Sequence, residues 1–231
     1  MGDTCGNASR YDVTWDSPSG EGESGSMPLG NGDIGLNAWV DTSGSLLFYI
    51  SKTDSWDESG RLLKVGKLRI DLGSEHPLPL TPFLQTLDLA AGTIVMTCGE
   101  EETAVHLRLW VDANHPAICV EIDSSLPLAA TASIELWRLQ PLALPSIETS
   151  DVMLNHNEEG GQHAPTVVEQ DVVLAARPGC IGWYHHNARA AGPTVTAANQ
   201  GLDGFDRPDP LLHRTFGAVV TSSGATAHGD R

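Results

Sequence analysis

Apolar and polar positions trade places along nearly the whole chain. The alternation is clear in IGLNAWV (34–40) and returns in SLLFYIS (45–51), LLKVGKLRIDL (62–72), FLQTLDL (83–89), TIVMTC (93–98) and TAVHLRLWV (103–111). It continues through AICVEID (117–123), TASIELWRL (131–139), TVVEQDVVLAA (166–176), CIGWYHHN (180–187) and FGAVV (216–220). A period of two sends successive side chains to opposite faces, which is the pattern of strands with one buried face. In TAVHLRLWV it puts Val105, Leu107, Leu109 and Val111 on one side, with His106, Arg108 and Trp110 on the other. Short turns such as DTSG (41–44) and AAG (90–92) separate the runs, and no amphipathic helix longer than two turns is predicted. The expected fold is therefore all-β, a large antiparallel sandwich rather than a doubly wound sheet. Two long stretches, 139–165 and 187–214, break the rhythm. Loops of that length usually bind something or stay unordered.

One motif tests this expectation. SMPLGNGDIGLNAWV (26–40) holds Gly30, Gly32 and Gly35 in the order G-x-G-x-x-G, and Asp54 follows at the distance of a ribose-binding acid. A dinucleotide turn also needs a buried strand before the glycines and a helix after them. The preceding SPSGEGESGSMP (17–28) cannot supply that strand, and Pro28 lacks the amide donor of a central one. After the glycines comes a strand, so no helix N-terminus is available for a pyrophosphate. The glycines instead predict a bend that leads into a β-hairpin.

Length and charge narrow the possibilities. A compact chain of 231 residues buries about 70–75% of its unfolded surface, so it needs neither disulfide nor metal to be stable. Lys and Arg number 13 against 30 Asp and Glu, a formal charge of −17. That excess repels phosphate backbones and anionic lipid, so neither nucleic acid nor membrane is an expected partner. Cys5, Cys98, Cys119 and Cys180 form no C-x-x-C pair, and three of them lie in strand-like runs as expected buried thiols. The N-terminus has no basic stretch leading into an apolar core, and no apolar run is long enough to span a bilayer.

Candidate chemistry gathers in two places. SKTDSWDESGRL (51–62) sets Asp54, Asp57 and Glu58 around Trp56. Carboxylates accept sugar hydroxyl protons while an indole face covers C–H surface, so the segment suits a carbohydrate. A solvated acidic turn with Trp56 folded onto the core is the alternative. WYHHN (183–187) supplies Trp183, Tyr184, His185 and His186, whose alternation keeps the two histidines from sharing a metal. His156 and His163 match no zinc spacing, and no nucleophile elbow, P-loop or H-E-x-x-H is present. No metal, no cofactor and no complete catalytic set is predicted.

Several motifs carry a resemblance. SMPLGNGDIGLNAWV and SKTDSWDESGRL resemble the opening segments of the N-terminal domain of glycoside hydrolase family 95, the α-L-fucosidase and α-L-galactosidase group. The chain more closely resembles an uncharacterised bacterial family, domain of unknown function 5703 (N-terminal), in GNGDIGLNAWV, LLFYISKTDSWDE, LRLWVDANHP and DPLLHRTFG. That likeness runs from about Trp15 to Val220.

The resemblance implies a β-supersandwich of the galactose-mutarotase-like kind over residues 26–222, after a flexible lead-in (1–25). Residues 223–231 become the start of a linker to an (α/α)6 barrel that holds the catalytic groups. It also implies a carbohydrate partner, with this chain non-catalytic by itself. Pro28, Gly30, Gly32 and Gly35 would then shape the backbone. Asn31, Asp33, Asp54, Trp56, Asp57, Trp183 and His185 become candidates to meet the barrel or its substrate. At 54–56 the order Asp-Ser-Trp departs from the family 95 order Asp-Thr-x-Trp, so fucose specificity does not carry over. Two alternatives stand beside this reading. One is a free-standing lectin-like module in which Trp56 or Trp183 binds sugar. The other is a self-contained hydrolase using two of Asp54, Asp57, Glu58, Glu158 and Glu159.

Overall fold

The computed structural model describes residues 5–20, 23–72, 78–125, 127–143, 167–202 and 208–227. It is an antiparallel all-β protein, with no sizeable helical domain among the described residues. The chain divides into two compact units.

The first unit comprises Met1–Thr53 and Gly66–Glu135. Its strands are β1 (Val13–Trp15), β2 (Met27–Gly30), β3 (Ile34–Val40), most of β4 (Leu46–Trp56) and of β5 (Leu62–Leu72), then β6 (Phe83–Asp88), β7 (Thr93–Cys98), β8 (Val105–Val111), β9 (Ile118–Ser124) and β10 (Ala130–Glu135). They form two five-stranded sheets, in the orders β1-β6-β7-β8-β9 and β10-β5-β4-β3-β2. The register explains the core. Leu36 lies opposite Ile50, Ala38 opposite Phe48 and Val40 opposite Leu46, so one apolar row lines one face of the second sheet. In the other sheet Leu87, Ile94 and Leu109 stand in one cross-strand row and Phe83, Cys98 and Val105 in another. With β2 lying against β7 and β8, the two apolar faces close as a sandwich.

The G-x-G-x-x-G bend is the tip of the β2–β3 hairpin. Gly30 pairs with Gly35, Pro28 with Asn37 on the edge strand, and Gly32 turns the chain at φ 93°, a left-handed conformation costly for any residue with a side chain. A short strand does precede the glycines, contrary to the expectation from 17–28, but it is an antiparallel edge strand and another strand follows. The hairpin leaves no helix N-terminus for a nucleotide.

The second unit comprises Asp54–Val65 and Leu136–Arg231, so it takes the distal ends of β4 and β5. It also holds β11 (Leu142–Ala143) paired with β12 (Val167–Val168), and a three-stranded sheet of β13 (Val172–Val173), β14 (Cys180–His186) and β15 (Thr215–Thr221). Helix α1 (Gly192–Asn199) lies in the stretch expected to be irregular. It starts on Gly192-Pro193, and proline suits a first helical turn because the amide it lacks has no partner there. No helix among the described residues is long and apolar enough to cross a membrane.

Candidate functional site

The second unit is organised around the β4–β5 tip. Ser55 is buried while Asp54 and Trp56 are exposed, as alternation along a strand requires, and Trp56 keeps 40% of its surface open. Asp57 then folds the tip. Its Oδ1 accepts the backbone N–H groups of Ser59 (3.0 Å) and Arg61 (2.8 Å), and its own N–H donates to Arg61 O at 2.9 Å. This is a side-chain-templated turn, which explains an aspartate between two strands. Burial pushes the Asp57 carboxyl above its ordinary pKa, against the pull of those donors.

Beneath the tip lies a chain of buried charges. His185 Nδ1 is 3.0 Å from Asp171 Oδ1, and His185 Nε2 is 3.4 Å from Glu58 Oε2. Arg138 Nε donates to the same Asp171 oxygen at 2.9 Å, and its NH2 group donates to Val65 O at 3.3 Å. Trp183 Nε1 donates to Val65 O at 2.8 Å, and the His185 ring stacks on Phe216 at 5.1 Å. Burial opposes a charged imidazole, but its hydrogen bonds to the Asp171 and Glu58 carboxylates outweigh it and raise the His185 pKa to about 9. His185 is therefore an imidazolium at neutral pH, donating from both ring nitrogens. Glu58 is the complement: burial favours its neutral form, yet His185 holds its pKa below the ordinary value.

Asn187 ties the exposed side together. Its Nδ2 donates to Trp56 O (2.9 Å) and Leu211 O (3.0 Å), while its backbone pairs with Arg214 and His213. His213 sits at φ 64°, and its ring stacks on His186 at 5.9 Å. His186 faces away from His185 and has its Nδ1 2.7 Å from Thr215 Oγ1. Among the described residues no group of three His, Cys, Asp or Glu side chains is placed to hold a metal.

The candidates named from the sequence thus separate. Trp56 and Asp54 are exposed at the tip. Trp183 and His185 are 2% and 1% exposed and serve the interior, so neither offers a surface to sugar or barrel. Asp57 shapes the turn. Asn31 and Asp33 belong to the first unit. There Asn31 Oδ1 accepts the N–H groups of Asp33 and Ile34, its Nδ2 donates to Asp112 O, and Asp33 pairs with Lys52 and Thr53. His156, His163, Glu158 and Glu159 lie outside the described residues.

The sequence pattern does not single out Arg138 or Asp171. Both are charged residues inside apolar runs, WRL and VVEQDVV, and that interruption is the available signal. The cluster ties Glu58, at the β4–β5 tip, to His185, Asp171 and Arg138, and so braces the tip.

Fold and site define an antiparallel β protein whose second unit is braced by buried ion pairs around an exposed, tryptophan-bearing hairpin tip. Residues 14–231 match the model of a domain of unknown function, DUF5703, in its N-terminal form, and the chain belongs to that family. No protein with a curated description matches it.

Proposed function

We propose that this chain is the non-catalytic N-terminal β-sandwich of a multidomain glycoside hydrolase of the family 95 type. In this reading it packs on a downstream (α/α)6 barrel and shapes that barrel's active site. The observation that carries the proposal is the β4–β5 tip, where Asp57, Glu58 and Asn187 lock the backbone while Trp56 stays open. A rigid indole beside the exposed Asp54 suits a sugar ring or a neighbouring domain. The order of the PLGNGDIG and DSWDESG segments supports the likeness to family 95, and residues 223–231 would begin the linker.

The deciding experiment is to sequence the locus through the codon for Arg231 and beyond. The expected result is an open frame that continues into a long series of helical hairpins. In the full-length protein Trp56→Ala should then lower kcat/KM on a glycoside at least about tenfold without changing the melting temperature. A stop codon directly after Arg231 overturns the proposal. It leaves the free-standing carbohydrate-binding module, which the same exposed Trp56 favours. A self-contained hydrolase is less well supported, because inversion needs two carboxyls open to substrate and about 6.5–9.5 Å apart. Asp57 and Glu58 are both buried.

A further inference from the structure

The first unit holds an open cleft of about 390 Å³, lined by residues 14–19 and Gly25. Small-ligand sites occupy about 300–1,000 Å³, so the cleft is large enough for one compact molecule. Its walls are preformed. β1 is held to β6 with Trp15 opposite Gln85, Ser19 N donates to Val40 O at 2.9 Å, and Ser19 Oγ donates to Gly25 O at 2.6 Å. A Cβ on Gly25 would strike the Ser19 side chain, so glycine allows the close approach that shapes one wall.

Trp15, half-buried, lines the cleft together with Asp16, Ser17 and Ser19, and the lining residues include no cation. A carboxylate without a cation rejects anions, while hydroxyl and carboxylate oxygens accept hydroxyl protons and an indole covers C–H surface. Gln85, paired with Trp15 across the ladder and 1% exposed, backs that strand from the core side.

We propose that this cleft binds one neutral pyranose unit, free or at the end of a chain, at a site separate from the Trp56 tip. The choice of a sugar among neutral polyols rests on the carbohydrate reading above. The test is saturation-transfer NMR on the full 231-residue chain with the methyl α-glycosides of galactose, glucose and L-fucose. At least one should bind saturably. Ser17→Phe, which fills the cleft, and Asp16→Asn, which removes its charged acceptor, should each weaken that binding about tenfold or more. Trp56→Ala should leave it unchanged.

Binding to none of the three sugars overturns the proposal, as does binding that survives both cleft substitutions. Loss with Trp56→Ala alone also overturns it, and moves the sugar to the tip. If Ser17→Phe does not fold, Asp16→Asn decides the question by itself. None of these outcomes depends on the reading frame beyond Arg231, so the two proposals fail separately.

Discussion

His185 shows how a single residue can couple stability to pH. Its pKa is raised from 6.5 to about 9 by two buried carboxylates, so its stabilising contribution is complete below pH 6.5 and is lost as pH rises through about 9. Glu58 has the opposite sign. Its lowered pKa makes its contribution present above its unfolded value of 4.5 and lost as pH falls through the lower, folded value. The urea midpoint should therefore hold steady near pH 5–6.5 and decline toward pH 9. His185→Gln should flatten that alkaline decline, and an unchanged slope would show that the imidazole is neutral in the fold. His185→Ala, which leaves Asp171 and Glu58 buried without their cation, should cost about 3–5 kcal/mol at pH 6 by urea titration.

At the level of elements, strand existence is legible in the pattern and strand limits are not. The alternating rows at 34–40, 62–72, 83–89 and 93–98 match their strands within a residue because each has one buried face. The apolar run that predicts β4 stops at Ser51, yet the strand continues to Trp56, since the polar stretch KTDSW still alternates once Ser55 is buried. TVVEQDVVLAA predicts one strand and forms two short ones, because Asp171 leaves the ladder to meet Arg138 and His185. That partnership spans 33 residues to Arg138, beyond the reach of any local pattern. Asp54 and Trp56 lie open because they fall on the polar side of that alternation, whereas Trp183 and His185 are buried by tertiary packing that alternation cannot announce. Close approach is equally silent in sequence. Gly217 pairs with Tyr184, and a Cβ there would collide with the Trp183 carbonyl and the Tyr184 backbone. Gly217→Ala should therefore break the β14–β15 ladder and cost about 3 kcal/mol by urea titration, the upper end for overpacking, because backbone has to move. Gly20→Ala, whose new methyl meets none of the described residues within 4 Å beyond its chain neighbours, should stay within about 0.5 kcal/mol by the same measurement.

For the whole molecule, the two kinds of charge should respond oppositely to salt. The formal charge of −17 produces repulsion among surface acids, and this opposes the folded state through solvent. Raising NaCl from about 20 to 200 mM shortens the screening length from roughly 20 to 7 Å, which weakens that repulsion. The urea midpoint at pH 7 should rise across this range. The buried pairs are another matter: Arg138, Asp171, Glu58 and His185 have side chains at most 8% exposed, so mobile ions cannot come between them. A double-mutant cycle between His185→Gln and Asp171→Asn should accordingly give one coupling energy at both salt concentrations. A midpoint that stays flat would mean the surface acids are spaced or paired well enough to cancel. A coupling energy that falls with salt would mean water and ions reach the cluster, and the tip that carries Trp56 would then be less rigidly held than its buried hydrogen bonds require.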